Sequence, residues 1–331
     1  YEAIVRGLGG YACDPTDKDK RCELSGKEQT DEERRKNMCP VCYLFGCGGW
    51  KRKFRLEVRN NGETIPFQLA TLDEDGKFNH RWLSEISEEM LSTKMPFGDV
   101  SLNFKIAGGR DAVKQQLKAL LSIMAHIGGI GAKTQYGFGQ FDWEEKMDLK
   151  EAINTIRDFL IDNNFKQGSN ENKWNSLEKY WIYEIKLPSK NKLVKKFKKA
   201  NVIGSGHLPD DYLPVSFDIR YKLPDSKNGL REGYYLSIEK QKGKKDAKRE
   251  TRDIFGTLIN DKVGSRVFVS HLFKKGETDN NYWLRVWGFT EDSVCVVVGE
   301  ELKKMFELPN CPSIRTGKAI ISRSEVVSDE F

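Results

Sequence analysis

Apolar residues recur along the first half of the chain with two different periods. Tyr1, Ile4, Val5 and Leu8 share one face of a short helix, which Gly9 and Gly10 end. Lys53 to Arg59 alternates strictly, with Phe54, Leu56 and Val58 on one face and Lys53, Arg55 and Arg59 on the other, as in a half-buried strand. Ser101 to Ile106 alternates likewise, with Leu102, Phe104 and Ile106 inward. Val113, Leu117, Leu120, Leu121, Met124 and Ile127 then fall at helical spacing, and Phe138 to Trp143 reads as a closing strand.

The predicted order is helix, strand, strand, helix, strand. With one strand in front it becomes βαββαβ, a ferredoxin-like (RRM-like) unit. The opening strand of such a sheet is central, and an empty slot would leave two unpaired strand edges. The reading therefore expects that slot to be filled, by an upstream segment or by another copy's extended segment, against the faces of Leu56 and Leu102.

Leu149, Ala152, Ile153, Ile156, Phe159 and Leu160 mark a bridging helix, followed by a polar linker over 164–173. Beyond it, strands are predicted at 180–187, 215–222, 233–239, 266–270 and 282–289. An internal repeat also stands out. Leu44-Phe45-Gly46 precedes a basic stretch and the strand Phe54 to Val58, and Ile254-Phe255-Gly256 precedes the strand Arg266 to Ser270. The same pattern at matching places argues for two related domains. The predicted division is 1–147, carrying a cysteine-bearing insertion at 11–50, and 148–331, carrying a basic insertion at about 186–252.

Between the 111–127 helix and the closing strand, residues 128–139 hold five glycines together with Lys133, Thr134, Gln135 and Tyr136. A P-loop would need glycine where Ile127 and Ala132 stand. A dinucleotide fingerprint starting at Gly129 would need glycine at Thr134 and would open a helix rather than close one. A glycine-rich hairpin suits an extended polyanion better, because backbone N–H groups and lysine meet phosphates while aromatics stack on bases. A helix C-cap accounts for Gly128 and Gly129 but not for the remaining three.

At 331 residues and with 11% aromatics the chain has room for two folded domains. The net charge of +6 is modest, so clustering carries the information. Lys186 to Lys199 holds seven lysines and no acid, Lys240 to Arg252 holds seven basic residues, and Lys51, Arg52, Lys53, Arg55 and Arg59 form a third group. Such clusters attract polyanions, although the first two read equally as solvated loops. The sequence shows no 18-residue apolar run and no signal peptide, so a soluble, cytoplasmic protein without a membrane partner is expected.

Five of seven cysteines, Cys13, Cys22, Cys39, Cys42 and Cys47, crowd the first fifty residues. Cys39-Pro-Val-Cys42 has the spacing of half a zinc site, which Cys22, Cys13 or Cys47 would complete. Metal, disulfide and free thiol all remain open at this point. No cofactor is required by the sequence, and a structural zinc on Cys39, Cys42, Cys22 and Cys13 is the candidate metal.

The Leu-Phe-Gly turn at 44–46, the strand after it and the loop 128–139 resemble the RAMP (repeat-associated mysterious protein) superfamily of CRISPR systems. Ser265 to His271 and Trp283 to Phe289 narrow the likeness to the first-numbered RAMP subunits of Cmr (type III-B) RNA-targeting complexes. The resemblance covers both halves, and it implies an α+β fold of two ferredoxin-like domains in tandem, the first lacking its opening strand here. It further implies a non-catalytic subunit that binds guide RNA, target RNA or both in an inter-domain cleft, beside other Cmr subunits, for antiviral RNA silencing.

The candidate RNA contacts are Lys51, Lys53 and Arg55, with Gly129, Gly131, Lys133, Thr134, Gln135 and Tyr136 of the loop, and Arg266 and Arg285 of the second half. Trp50 would stack a base or anchor the core, and Arg285 has an ion-pair alternative. The rival reading is a metal-independent endoribonuclease processing guide RNA, which needs a general base. Only His80, His126, His207 and His271 are available, and His126 falls in a helix where a packing role fits better. A subunit that contacts protein alone is the third reading.

Overall fold

A computed structural model describes residues 1–28, 30–60, 64–65, 95–96, 100–107, 111–130, 139–168, 179–187, 216–221, 229–256, 264–270, 282–312 and 314–318. In the first half, α1 (Glu2–Gly7), α2 (Asp31–Lys36) and α3 (Pro40–Phe45) precede β1 (Phe54–Asn60). A capping box starts α2: Thr30 Oγ1 accepts from the Glu33 N–H, and the Glu33 carboxylate accepts from the Thr30 N–H. The short strands β2 (Thr64–Ile65) and β3 (Met95–Pro96) pair with each other, and β4 (Val100–Ile106) returns antiparallel to β1, from Asn60↔Val100 to Phe54↔Ile106. Then come α4 (Asp111–Ile127) and α5 (Leu149–Asp162).

The second half runs β5 (Lys179–Leu187), α6 (Ser216–Tyr221), α7 (Leu230–Lys242), α8 (Lys244–Phe255), β6 (Val267–Val269), β7 (Tyr282–Gly288), α9 (Asp292–Phe306) and β8 (Ile314–Lys318). Its sheet has the order β6-β7-β5-β8, with every neighbouring pair antiparallel. The first strand of this half thus lies between the third and the fourth, as in a split βαβ sheet.

Three predicted strands are corrected. Residues 216–221 and 233–239 are helical, within α6 and α7. Leu230, Tyr234 and Ile238 recur every fourth residue on α7 and are all buried, a period that the short alternating stretch 233–239 conceals. Gly139 to Trp143 is irregular rather than extended. The basic insertion is corrected in part as well. Residues 188–215 and 222–228 lie outside the described residues, but 229–252 forms two helices that meet at Gly243, and Ala247, Ile254 and Phe255 of α8 are core residues.

The second sheet is covered on both faces. Trp181, Tyr183, Ile185, Leu284 and Val286 pack with Tyr234, Ile254, Val298 and Leu302 of the helices that follow. On the other face, Tyr180, Ile182 and Trp287 pack with Leu8, Ala119, Ile123, Ile153 and Ile156 of the first half and the bridging helix. This two-sided burial explains why Tyr180 to Tyr183 are buried without alternation. In the first half a second cluster gathers Leu44, Phe54, Val113, Leu117 and Phe159. Among the described residues the β1–β4 sheet has two strands, and Leu56, Val58 and Val100 on its surface are exposed.

The Phe-Gly repeat is structural. Gly46 ends α3 at φ 94° and Gly256 ends α8 at φ 76°, a left-handed region that favours glycine. The Lys53 N–H donates to the Leu44 carbonyl at 3.0 Å, and the Arg266 N–H donates to the Ile254 carbonyl at 2.8 Å. The Lys53 carbonyl accepts from Ala107 at 2.9 Å, and that of Arg266 accepts from Phe289 at 3.1 Å. Each half therefore joins a helix, a Phe-Gly turn and a strand pair through the same two backbone bonds, and Lys53 and Arg266 occupy equivalent places.

Candidate nucleic-acid interface

The basic surface lies on and just before β1. Phe54 is buried, Lys51 and Arg52 ahead of the strand and Arg55 and Arg59 on it are exposed, and Lys53 is half-buried. Lys105 is the cross-strand partner of Arg55, and its side chain is exposed. It belongs to the same cationic face, and the sequence reading missed it. The signal was present, since Lys105 lies on the polar side of the second alternating stretch, but only strand register sets it opposite Arg55. Glu57 lies within that row, 2.8 Å from Lys105 Nζ and 3.9 Å from Arg55 Nε.

Trp50 is anchored rather than free. Its Nε1–H donates to the Tyr43 carbonyl at 3.1 Å, and its ring lies 6.0 Å from that of Tyr43. Lys53 Nζ sits 3.1 Å from the indole centroid and Arg34 Cζ 5.5 Å from it, so two cations gather on one aromatic. The packing role is present, and base stacking would require Lys53 to move aside.

Of the glycine-rich loop, the structure describes the stem. The Ile130 N–H donates to the Gly139 carbonyl at 2.9 Å, and the Gln140 side chain donates to the Gly128 carbonyl. Gly139 has φ +70°, and a Cβ there would land on the Ile130 carbonyl oxygen. Gly129 is half-buried at this stem. Gly131, Lys133, Thr134, Gln135 and Tyr136 lie outside the described residues. The stem and the Lys53 region sit at opposite ends of α4. Lys53 bonds to Ala107, just before the helix, and the stem follows its last residue. With 17 residues α4 is about 25 Å long, so the described parts of the two predicted contact groups are separated by about the length of the helix.

In the second half, Arg266 is half-buried, and its Nη2 donates to the Phe289 carbonyl at 2.9 Å. Arg285 departs from the predicted RNA contact. Its side chain is buried, with Nε and Nη2 donating to Glu184 at 3.0 and 2.8 Å and Nη1 donating to the Ala125 carbonyl. That is the ion-pair alternative, and it leaves no exposed guanidinium face for a phosphate. Among the described residues the two halves touch through an apolar cluster in which Leu8, Ala119 and Ile123 of the first pack with Tyr180, Ile182 and Trp287 of the second. His126 is buried on α4 with Nε2 3.0 Å from the Met147 carbonyl, a satisfied packing role. His80, His207 and His271 lie outside the described residues.

Four cysteines converge beside this surface. Cys13, Cys22, Cys39 and Cys42 are buried, and their sulfurs all lie within 4.8 Å of one another. Cys39 caps α3, where Pro40 takes the first helical position, and its sulfur accepts from the Cys42 N–H at 3.5 Å. The Cys39 N–H in turn donates to Cys22 Sγ at 3.2 Å. Hydrogen bonds from the Cys22 and Cys42 thiols draw the Cys39 thiol far below its ordinary range, and bonding within the cluster pushes Cys22 and Cys42 upward. Cys47 stands outside, half-buried, with its thiol directed at the Gly48 carbonyl.

Fold and site define an α+β chain of two packed halves that repeat one helix–turn–strand-pair motif, with a cationic strand face in the first. The model of the RAMP superfamily matches residues 1–142, so the resemblance read from the sequence holds across the first half. The match implies a CRISPR-associated role in RNA binding or processing, within complexes of RNA and other subunits. No curated protein and no solved structure matches the chain. Among the described residues no helix is long and apolar enough to cross a membrane.

Proposed function

We propose that the chain is a non-catalytic RNA-binding subunit of a cytoplasmic CRISPR type III-B (Cmr) ribonucleoprotein, built as two ferredoxin-like domains over 1–147 and 148–331. It contacts guide RNA, target RNA or both, and other Cmr subunits complete the particle. The observation that carries this reading is the exposed cationic row Lys51, Arg52, Arg55, Arg59 and Lys105 on a unit that matches the RAMP superfamily. Phosphates fit this row, while the glycine-rich loop offers backbone donors further along α4. In this reading RNA follows the outer face of the first domain.

The test is RNA binding by the full chain across a salt series, with RNA integrity followed in the presence and absence of chelator. The expected result is intact RNA and an affinity that falls steeply with salt, with a slope of about −0.7 per neutralised phosphate on single strands. Absence of binding at low salt would leave a protein-contacting assembly subunit. Cleavage would establish the endoribonuclease alternative.

A further inference from the structure

We propose that Cys13, Cys22, Cys39 and Cys42 hold one structural zinc ion through four thiolates. This inference is independent of the RNA reading. Four sulfurs bound to a tetrahedral zinc at about 2.3 Å lie about 3.8 Å from one another. The four sulfurs here are mutually within 4.8 Å, and Cys13 Sγ and Cys42 Sγ are 3.4 Å apart. An all-sulfur, four-coordinate donor set suits zinc and excludes hard cations, which take oxygen ligands.

The ligands come from separate segments: the loop after α1, the turn holding Cys22, and the N-terminus of α3. These segments are poor in other means of staying together. Helix α2, which lies between Cys22 and Cys39, buries none of its residues. The polar run from 14 to 21 contributes none of the buried apolar residues, which resume at Cys22 and Leu24. A metal joining three points of this insertion supplies the cross-link that a small apolar contact area does not. Backbone N–H groups of Cys39 and Cys42 already point at sulfurs, an arrangement that stabilises thiolate charge. A disulfide would engage two of the four sulfurs and leave the convergence of the other pair unexplained. Binding displaces the thiol protons to solvent and involves no change of oxidation state.

The structure also separates Cys47 from the ligands, a choice that C-x2-C spacing leaves open. The experiment is elemental analysis of the purified full chain, with Cys22→Ser and Cys47→Ser beside it. The expected result is about one zinc per wild-type chain, retained in Cys47→Ser and lost in Cys22→Ser. Because Cys22→Ser risks misfolding, cobalt is exchanged into the wild-type chain as an independent readout. Visible bands of tetrahedral cobalt with thiolate charge transfer are expected. Wild-type protein without metal, iron in place of zinc, an octahedral cobalt spectrum, or zinc lost from Cys47→Ser would each overturn the proposal.

Discussion

Arg285 grips Glu184 with two nitrogens, at 2.8 and 3.0 Å, and with its third reaches the Ala125 carbonyl two residues before the end of α4. One guanidinium thus ties neighbouring strands β5 and β7 to a helix of the other half. Its side chain is 6% exposed and that of Glu184 is 19% exposed, so water compensates poorly for a broken pair. Arg285→Ala should cost about 3 kcal/mol of stability in urea unfolding. RNA affinity of the folded variant should keep the wild-type salt slope. A stable variant with a flattened slope would move Arg285 to the RNA surface.

The cationic face makes a different prediction. Lys51→Ala, Arg55→Ala and Lys105→Ala remove exposed charges and should barely change stability. Each substitution that removes a phosphate partner should weaken binding similarly across RNA sequences and reduce the salt slope by about 0.7 on single strands. Fluorescence anisotropy over a salt series reads both effects, and weakening confined to one RNA sequence would instead indicate base readout.

Gly139 closes the stem of the glycine-rich loop at a left-handed φ, with no room for a Cβ beside the Ile130 carbonyl. Gly139→Ala should therefore lower stability by more than about 1 kcal/mol in thermal or urea unfolding. Gly243 has a similar φ of +84° but open space around its Cβ position. Gly243→Ala should show the backbone strain without the clash, and a larger loss there than at Gly139 would contradict this account.

Two tyrosines of the second half contribute to alkaline sensitivity. The Tyr183 hydroxyl donates to the Cys295 carbonyl at 2.9 Å, and that of Tyr234 donates to Glu250 at 2.8 Å. Burial first, and then hydrogen bonding with the Cys295 thiol for Tyr183 and with the Glu250 carboxylate for Tyr234, raise both phenols above the ordinary value of 10.0. The fold therefore favours the neutral phenol. The stability it gains is complete below pH about 10, and it falls as the pH climbs beyond the point where the unfolded chain ionises. Urea midpoints should be unaffected by these groups near neutrality and decline above pH about 10, with a shallower decline in Tyr234→Phe.

Much of the first half was legible in the chain itself. The strict alternation at 53–59 and 101–106 and the helical spacing at 113–127 are local periods, and β1, β4 and α4 appear where they stand, although Leu56 and Val58 on the apolar face of β1 are exposed among the described residues. The Phe-Gly repeat was legible because a left-handed glycine at a helix end is a local requirement. Residues 215–222 and 233–239 misled because a short apolar stretch carries no period long enough to separate strand from helix. Burial against the second sheet selects the helix through Leu230, Tyr234 and Ile238.

By itself the sequence determined the kinds of elements at β1, β4 and α4, the cationic strand face and the set of cysteines available as ligands, since all three follow from local spacing. Tertiary structure alone decided which cysteines meet, that Arg285 is a buried brace, that Lys105 joins the cationic face, and that apolar residues of the first half pack against the second sheet. Each of these depends on proximity between residues far apart in the chain: Cys13 with Cys42, Arg285 with Glu184, Lys105 with Arg55, and Ile123 with the cluster of Ile182 and Trp287. No local period encodes such pairs. They arise when both faces of one sheet must be covered and every buried charge must find its partner.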